Sequence, residues 1–100
     1  MPAYIIAEVN VTNPTGYESY RPLAGASVAQ YGGKFIVRGG RAELIEGMQE
    51  PARLVVIEFA DYATALACYK SPEYAEVKKL RQHCATADLV VVEGYDGAQP

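Results

Sequence analysis

Arg38 ends the short apolar run Lys34-Phe35-Ile36-Val37 and stands between the glycine pairs Gly32-Gly33 and Gly39-Gly40. A guanidinium fixed at a strand end is a planar fork of donors that suits a carboxylate, which makes Arg38 a candidate anchor for an anionic ligand. A structural ion pair with Glu8 or Glu46 accounts equally well for an arginine at this place. Glu58, near the end of the strand-like run Arg53-Leu-Val-Val-Ile-Glu-Phe59, is the candidate proton acceptor, and Tyr4 falls beside it in the expected sheet. The chemistry these residues suggest is the holding of a small organic acid, with cofactor-free proton transfer as the reaction. Tyr4, Tyr20, Tyr31, Tyr69 and Tyr74 either wall such a cavity or form core edges with wetted hydroxyls.

Other reactive groups are sparse. Cys68 and Cys84 fall in helical segments and are expected to be reduced and partly buried. His83 adjoins Cys84, but consecutive helical residues point about 100° apart, so spacing alone does not pair them, and His83 is expected to be exposed or to cap a helix. Histidine, cysteine and acid never cluster at ligand spacing, so neither a metal nor a cofactor is expected. Removal of Met1 would leave Pro2 as a secondary amine at the start of a strand, the arrangement of an N-terminal-proline tautomerase, and this stands as an alternative enzyme.

With 100 residues the chain fits one domain, in which 95–100 read as a loose tail, and a domain this small gains stability by covering a sheet face with a second subunit. Nine basic residues against twelve acidic ones give a net charge of −3, and only Lys78, Lys79 and Arg81 gather positive charge, which argues against nucleic acid as a partner. No apolar run nears the roughly 20 residues that cross a bilayer, and no secretory leader is evident, so a cytoplasmic protein away from membranes is expected.

The elements that position these groups follow from cap and turn signals. Ala3 to Val11 reads as a strand. Asn13 caps and Pro14 opens a helix to about Tyr31, with a buried stripe of Tyr20, Leu23, Ala24, Ser27, Val28 and Tyr31 and with Pro22 kinking or breaking it. Gly32-Gly33 ends that helix in left-handed conformation, Lys34 to Arg38 forms a strand, and Ala42 to Ile45 continues extended before Pro51 closes a polar loop. Arg53 to Phe59 forms a central strand. Asp61 caps a helix to about Lys70, which Ser71-Pro72 restarts with Val77, Leu80 and Cys84 buried, and Asp88 to Gly94 is the last strand. This order predicts an α+β, ferredoxin-like βαββαβ fold with both helical stretches on one sheet face.

Strand alternation assigns Ile5, Ala7, Val9, Val55, Ile57, Phe59, Val90 and Val92 to the helix side. The opposite face holds Tyr4, Ile6, Glu8, Leu54, Val56, Glu58, Leu89, Val91 and Glu93, with Arg38 beside Glu8. That face is too apolar to stay in water and carries three carboxylates, which serve either as solvated strand ends or as pocket groups.

Gly32-Gly33-Lys34-Phe35-Ile36-Val37-Arg38-Gly39-Gly40, Glu46-Gly47, Val55 to Phe59, Ser71-Pro72-Glu73-Tyr74 with Arg81, and Asp88 to Gly94 together resemble the domain of unknown function 1330 family. The resemblance implies a dimeric α/β barrel, in which two ferredoxin-like sheets face each other across a homodimer. Gly33, Arg38, Glu46, Ser71, Tyr74 and Arg81 match the family pattern. Backbone geometry explains Gly33 and capping explains Ser71, which leaves Arg38, Glu46, Tyr74 and Arg81 as ligand-binding candidates. Gln49-Glu50-Pro51 departs from the pattern by lacking a tryptophan, so no pocket shape is carried over there. Relatives in the superfamily include cofactor-free monooxygenases, lactone isomerases, dehydratases and stress-responsive proteins, so the resemblance implies no single activity. The expectation is a homodimer with an organic-acid pocket between sheet and partner; the non-enzymatic alternative is a binding or stress-related dimer whose mixed face is filled by side chains.

Overall fold

The computed structural model describes residues 1–47, 49 and 52–100. The chain runs β1 (Ala3–Val11), α1 (Pro14–Gln30), β2 (Lys34–Arg38), β3 (Arg53–Phe59), α2 (Tyr62–Tyr69), α3 (Pro72–Gln82) and β4 (Ala85–Glu93). Its strands form one antiparallel sheet in the order β2-β3-β1-β4, and the helices pack on a single face, which is the ferredoxin-like α+β fold. Glu50 and Pro51, expected in a polar loop, lie outside the described residues. Ala42 to Ile45 pairs with no strand among the described residues, and Ile45 is exposed.

Side-chain caps start the helices where the sequence places them. Asn13 Oδ1 accepts from the Gly16 amide at 3.2 Å, and Asp61 Oδ1 accepts from the Thr64 amide at 2.7 Å. Thr64, through its side chain foremost and this amide next, holds the exposed Asp61 carboxyl below its ordinary pKa. Helix α1 stays helical through Pro22, which lies on its exposed side, so the expected break does not occur. Its buried stripe is Tyr17, Tyr20, Ala24, Ser27 and Val28, whereas Leu23 is exposed. Of the Gly32-Gly33 pair, Gly32 alone is left-handed, at φ 72°; Gly33 serves close packing, because a methyl there would sit 2.6 Å from Val28 Cγ1 and 2.8 Å from Phe59 Cε1.

Ser71 joins α2 to α3. Its buried Oγ donates to the Cys68 carbonyl at 2.7 Å and accepts from the Tyr74 amide at 3.1 Å, so one hydroxyl satisfies the end of one helix and the start of the next. Ser71→Ala is expected to cost about 0.5–2 kcal/mol in denaturant unfolding. An unchanged midpoint would remove the capping account.

Two features of the sheet correct the expected faces. Strand β4 begins at Ala85, and its register sets Ile5 opposite Val91 and Ala7 opposite Leu89. Leu89 and Val91 therefore face the helices, while Val90 and Val92 are exposed on the open face. Glu93, opposite Ala3, leaves the open face as well. Strand β2 carries a bulge between Phe35 and Val37, so Lys34 and Val37 share the open face with Glu58 and Val56, while Phe35 and Arg38 turn to the helix side with Ile57 and Val55. Arg38 is thus separated from Glu8 by the sheet. In α3 the buried residues are Tyr74, Val77 and Arg81, and Leu80 is exposed.

Candidate functional site

A cavity of about 50 Å³ lies between the sheet and the helices, with room for roughly three or four waters. Tyr17, Tyr20, Tyr69 and Tyr74 form its aromatic wall. Four arginines also line it: Arg21 from α1, Arg38 from β2, Arg53 from β3 and Arg81 from α3, and among the described residues no carboxylate joins them. A wider groove of about 590 Å³ opens between α2, α3 and β4 and shares Ile5, Tyr69, Arg81 and Leu89 with the cavity.

The charge in this cavity is unusual for a core. Arg81 is only 6% exposed, and its Nη1 donates to Tyr74 Oη at 2.9 Å. Among the described residues, no carboxylate oxygen lies within 4.0 Å of Arg38, Arg53 or Arg81; Arg21 alone has one, Glu18 at 3.3 Å on the surface. Arg38 Nη2 donates to the Arg21 carbonyl at 3.2 Å, and its guanidinium lies 4.0 Å from the Phe35 ring centroid. Arg53 lies over the Tyr17 ring at 5.4 Å and packs against Gly39, whose φ of 72° and missing side chain leave space for the guanidinium. Of the four, Arg81 alone is buried, while Arg21 and Arg53 are half-buried and Arg38 is exposed; a buried guanidinium without a counterion is costly, so an anion reaching Arg81 would meet uncompensated positive charge.

The tyrosines are tuned in opposite directions. Burial foremost, with Tyr74 beside it, pushes the Tyr20 phenol far above its usual range. Lys78 foremost, helped by Arg81, draws the Tyr69 phenol below that range despite partial burial. The Lys78 ammonium stands 5.1 Å from the Tyr69 ring centroid, and the Tyr69 and Tyr74 rings are 5.4 Å apart. Tyr69 is therefore the phenol of this site best suited to give up or take a proton. In an ultraviolet pH titration one tyrosine should ionise ahead of the others, Tyr69→Phe should delete it, and Lys78→Met should move it back among them. A Lys78→Met protein with an unaltered titration would refute that cause.

Of the residues proposed from the sequence, Arg38, Tyr74 and Arg81 line the cavity. Glu58 and Tyr4 do not; they oppose each other on the open face, with Lys34 beside Glu58. Glu46 is exposed and outside the cavity lining. Pro2 stands apart too: its carbonyl accepts from the Gly94 amide at 2.7 Å, and it lines neither the cavity nor the groove. Burial, with Glu73 adding, pushes the Cys68 thiol up to about 11, and burial raises Cys84 against the pull of Arg81, so neither is a ready nucleophile. His83 is an exposed C-cap of α3. Among the described residues, no three metal-ligating side chains come together. Arg53, Arg21 and Tyr17 were not singled out from the sequence, although Arg53 shares the parity of Val55 and Ile57, and Tyr17 precedes Tyr20 and Ala24 at helical spacing.

The chain belongs to the family described as Domain of unknown function (DUF1330), which matches residues 2–95. No curated protein matches the sequence. Among solved structures, a protein of unknown function from Rhodopseudomonas palustris is similar with a TM-score of 0.77 at 17% identity, covering 96% of this chain and 84% of that one. SnoaB, a cofactor-independent oxygenase from Streptomyces nogalater, superposes with a TM-score of 0.68 at 13% identity over 96% of this chain and 95% of its own. A dimeric protein of unknown function and ferredoxin-like fold from Bacteroides fragilis gives 0.62 at 11% identity over 93% and 96%. At these identities the likeness is one of fold. No helix among the described residues is long and apolar enough to cross a membrane.

Proposed function

We propose that this protein is a homodimer whose subunits each bind a small organic anion in the cavity between sheet and helices, rather than between sheet and partner as the sequence suggested. The observation that carries the reading is a cavity lined by four arginines and four tyrosines, with the buried Arg81 among them and no carboxylate among its described lining residues. The buried charge of Arg81 beside apolar walls favours a carboxylate on an apolar body. Cofactor-free proton transfer fits the same site, with Tyr69 in the accepting role first given to Glu58; the cofactor-independent oxygenase of like fold supports such chemistry by analogy alone. Dimerisation rests on the open sheet face, where Ile6, Val37, Val90 and Val92 are 37–57% exposed, and on the dimeric protein of like fold.

Small carboxylates are expected to raise the melting temperature in a concentration-dependent way. Arg38→Lys keeps the charge but loses the planar fork and the face-on contact with Phe35, so it should blunt that rise while the melting temperature without ligand barely moves. If no carboxylate stabilises the unmodified protein, the anion-pocket reading falls.

A further inference from the structure

The cationic groups of the cavity are not gathered at one point. Arg38 belongs to β2, Arg53 to β3, and Arg21 meets Arg38 through its carbonyl, so these three mark the β2 side. Arg81 marks the other side, where the adjoining groove runs along Ala87, Asp88, Leu89 and Val91 of β4 and adds Lys70 and Lys78, so that three cations there, Arg81 included, stand against one described carboxylate. In the order β2-β3-β1-β4, adjacent strands are about 4.8 Å apart, which puts the outer strands about 14 Å from each other. The floor between the two sides is apolar: Ile5, Ala7, Val55 and Ile57. Arg21 Nε and Arg53 Nε are buried donors without an acceptor among the described residues, and Arg81 has only the neutral Tyr74 hydroxyl.

From this we infer that the ligand carries two anionic groups joined by a slender apolar spacer, one held at Arg21, Arg38 and Arg53 and the other at Arg81. The inference rests on the organic-anion reading above and sharpens it. A single carboxylate on the β2 side leaves the buried Arg81 without a counterion, and one at Arg81 leaves the buried Nε donors of Arg21 and Arg53 without an acceptor, whereas an α,ω-dicarboxylate supplies acceptors to both and lays its methylenes over the apolar floor. The 590 Å³ groove, which meets the cavity at Tyr69 and Arg81, is the way in for a molecule of that length.

Isothermal titration of the intact protein with the series from butanedioate to octanedioate, each beside its monomethyl ester, tests this. One spacer length should bind best, and its diacid should bind about tenfold or more tightly than its monoester. Arg81→Gln, which keeps a donor for Tyr74, should bring that diacid down to the affinity of the ester while leaving ester binding in place. Equal affinity of diacid and monoester at every length overturns the two-ended ligand and leaves the organic-anion reading standing; binding of neither overturns both. A folded Arg81→Gln protein that keeps the diacid preference also overturns the assignment. If that variant does not fold, the comparison of diacid with ester on the unmodified protein decides.

Discussion

On the proposed dimer, Val56→Asp should leave a monomer, seen as a halved mass in light scattering. Val56 stands at the middle of the open face, in register with Ile6 of β1 and Val37 of β2, and the helices cover only the other face. If two such faces close on each other, a carboxylate introduced at the centre is buried without a partner, a change that costs about 3–5 kcal/mol for an uncompensated charge. Each subunit would contribute one such charge and the two would repel, so dimerisation should be lost at working concentrations. Val91→Asp separates this effect from a general loss of folding. Val91 faces the helices opposite Ile5, so its replacement should unfold the chain rather than release a folded monomer. A stable Val56→Asp dimer would rule out this interface, and a well-folded Val91→Asp protein would contradict the β4 register.

The element order was legible because its signals are local. Asn13-Pro14, Asp61 and Ser71-Pro72 each declare a helix start through a side chain and an amide a few residues apart, and all three operate as caps in the structure. Which way β4 faces was not legible. Leu89-Val90-Val91-Val92 is apolar throughout, so alternation carries no phase there, and only pairing with β1 sets it. The bulge at Ile36 was equally silent, since it arises from the match of β2 to β3 rather than from any residue in β2. That one extra residue turns Arg38 to the helix side, where it lines the cavity with Tyr74 and Arg81, instead of to the open face expected for it. Arg81 was visible as a matching position, but its burial follows from the spacing Tyr74, Val77, Arg81, a stripe that ends on a charge and was passed over in favour of Leu80.

Arg81 also gives the prediction that best divides structure from function. A residue kept for stability should cost stability when replaced, yet Arg81 is a buried cation with one neutral hydrogen bond and no carboxylate within reach among the described residues. Arg81→Met keeps the length of the side chain and removes the charge. The loss is the bond to Tyr74 Oη, and leaving that hydroxyl unpaired costs about 1–3 kcal/mol. Against it stands the desolvation of a guanidinium, an effective penalty of several kcal/mol even after relaxation. The second term is the larger, so Arg81→Met without ligand should be as stable as the unmodified protein or more so in denaturant unfolding. Its response to dicarboxylates should fall to that of a monocarboxylate, because anion binding in the unmodified protein relieves the very charge that the substitution deletes. A loss of several kcal/mol on Arg81→Met, with the dicarboxylate response intact, would instead make Arg81 a structural strut and move the anion site away from α3.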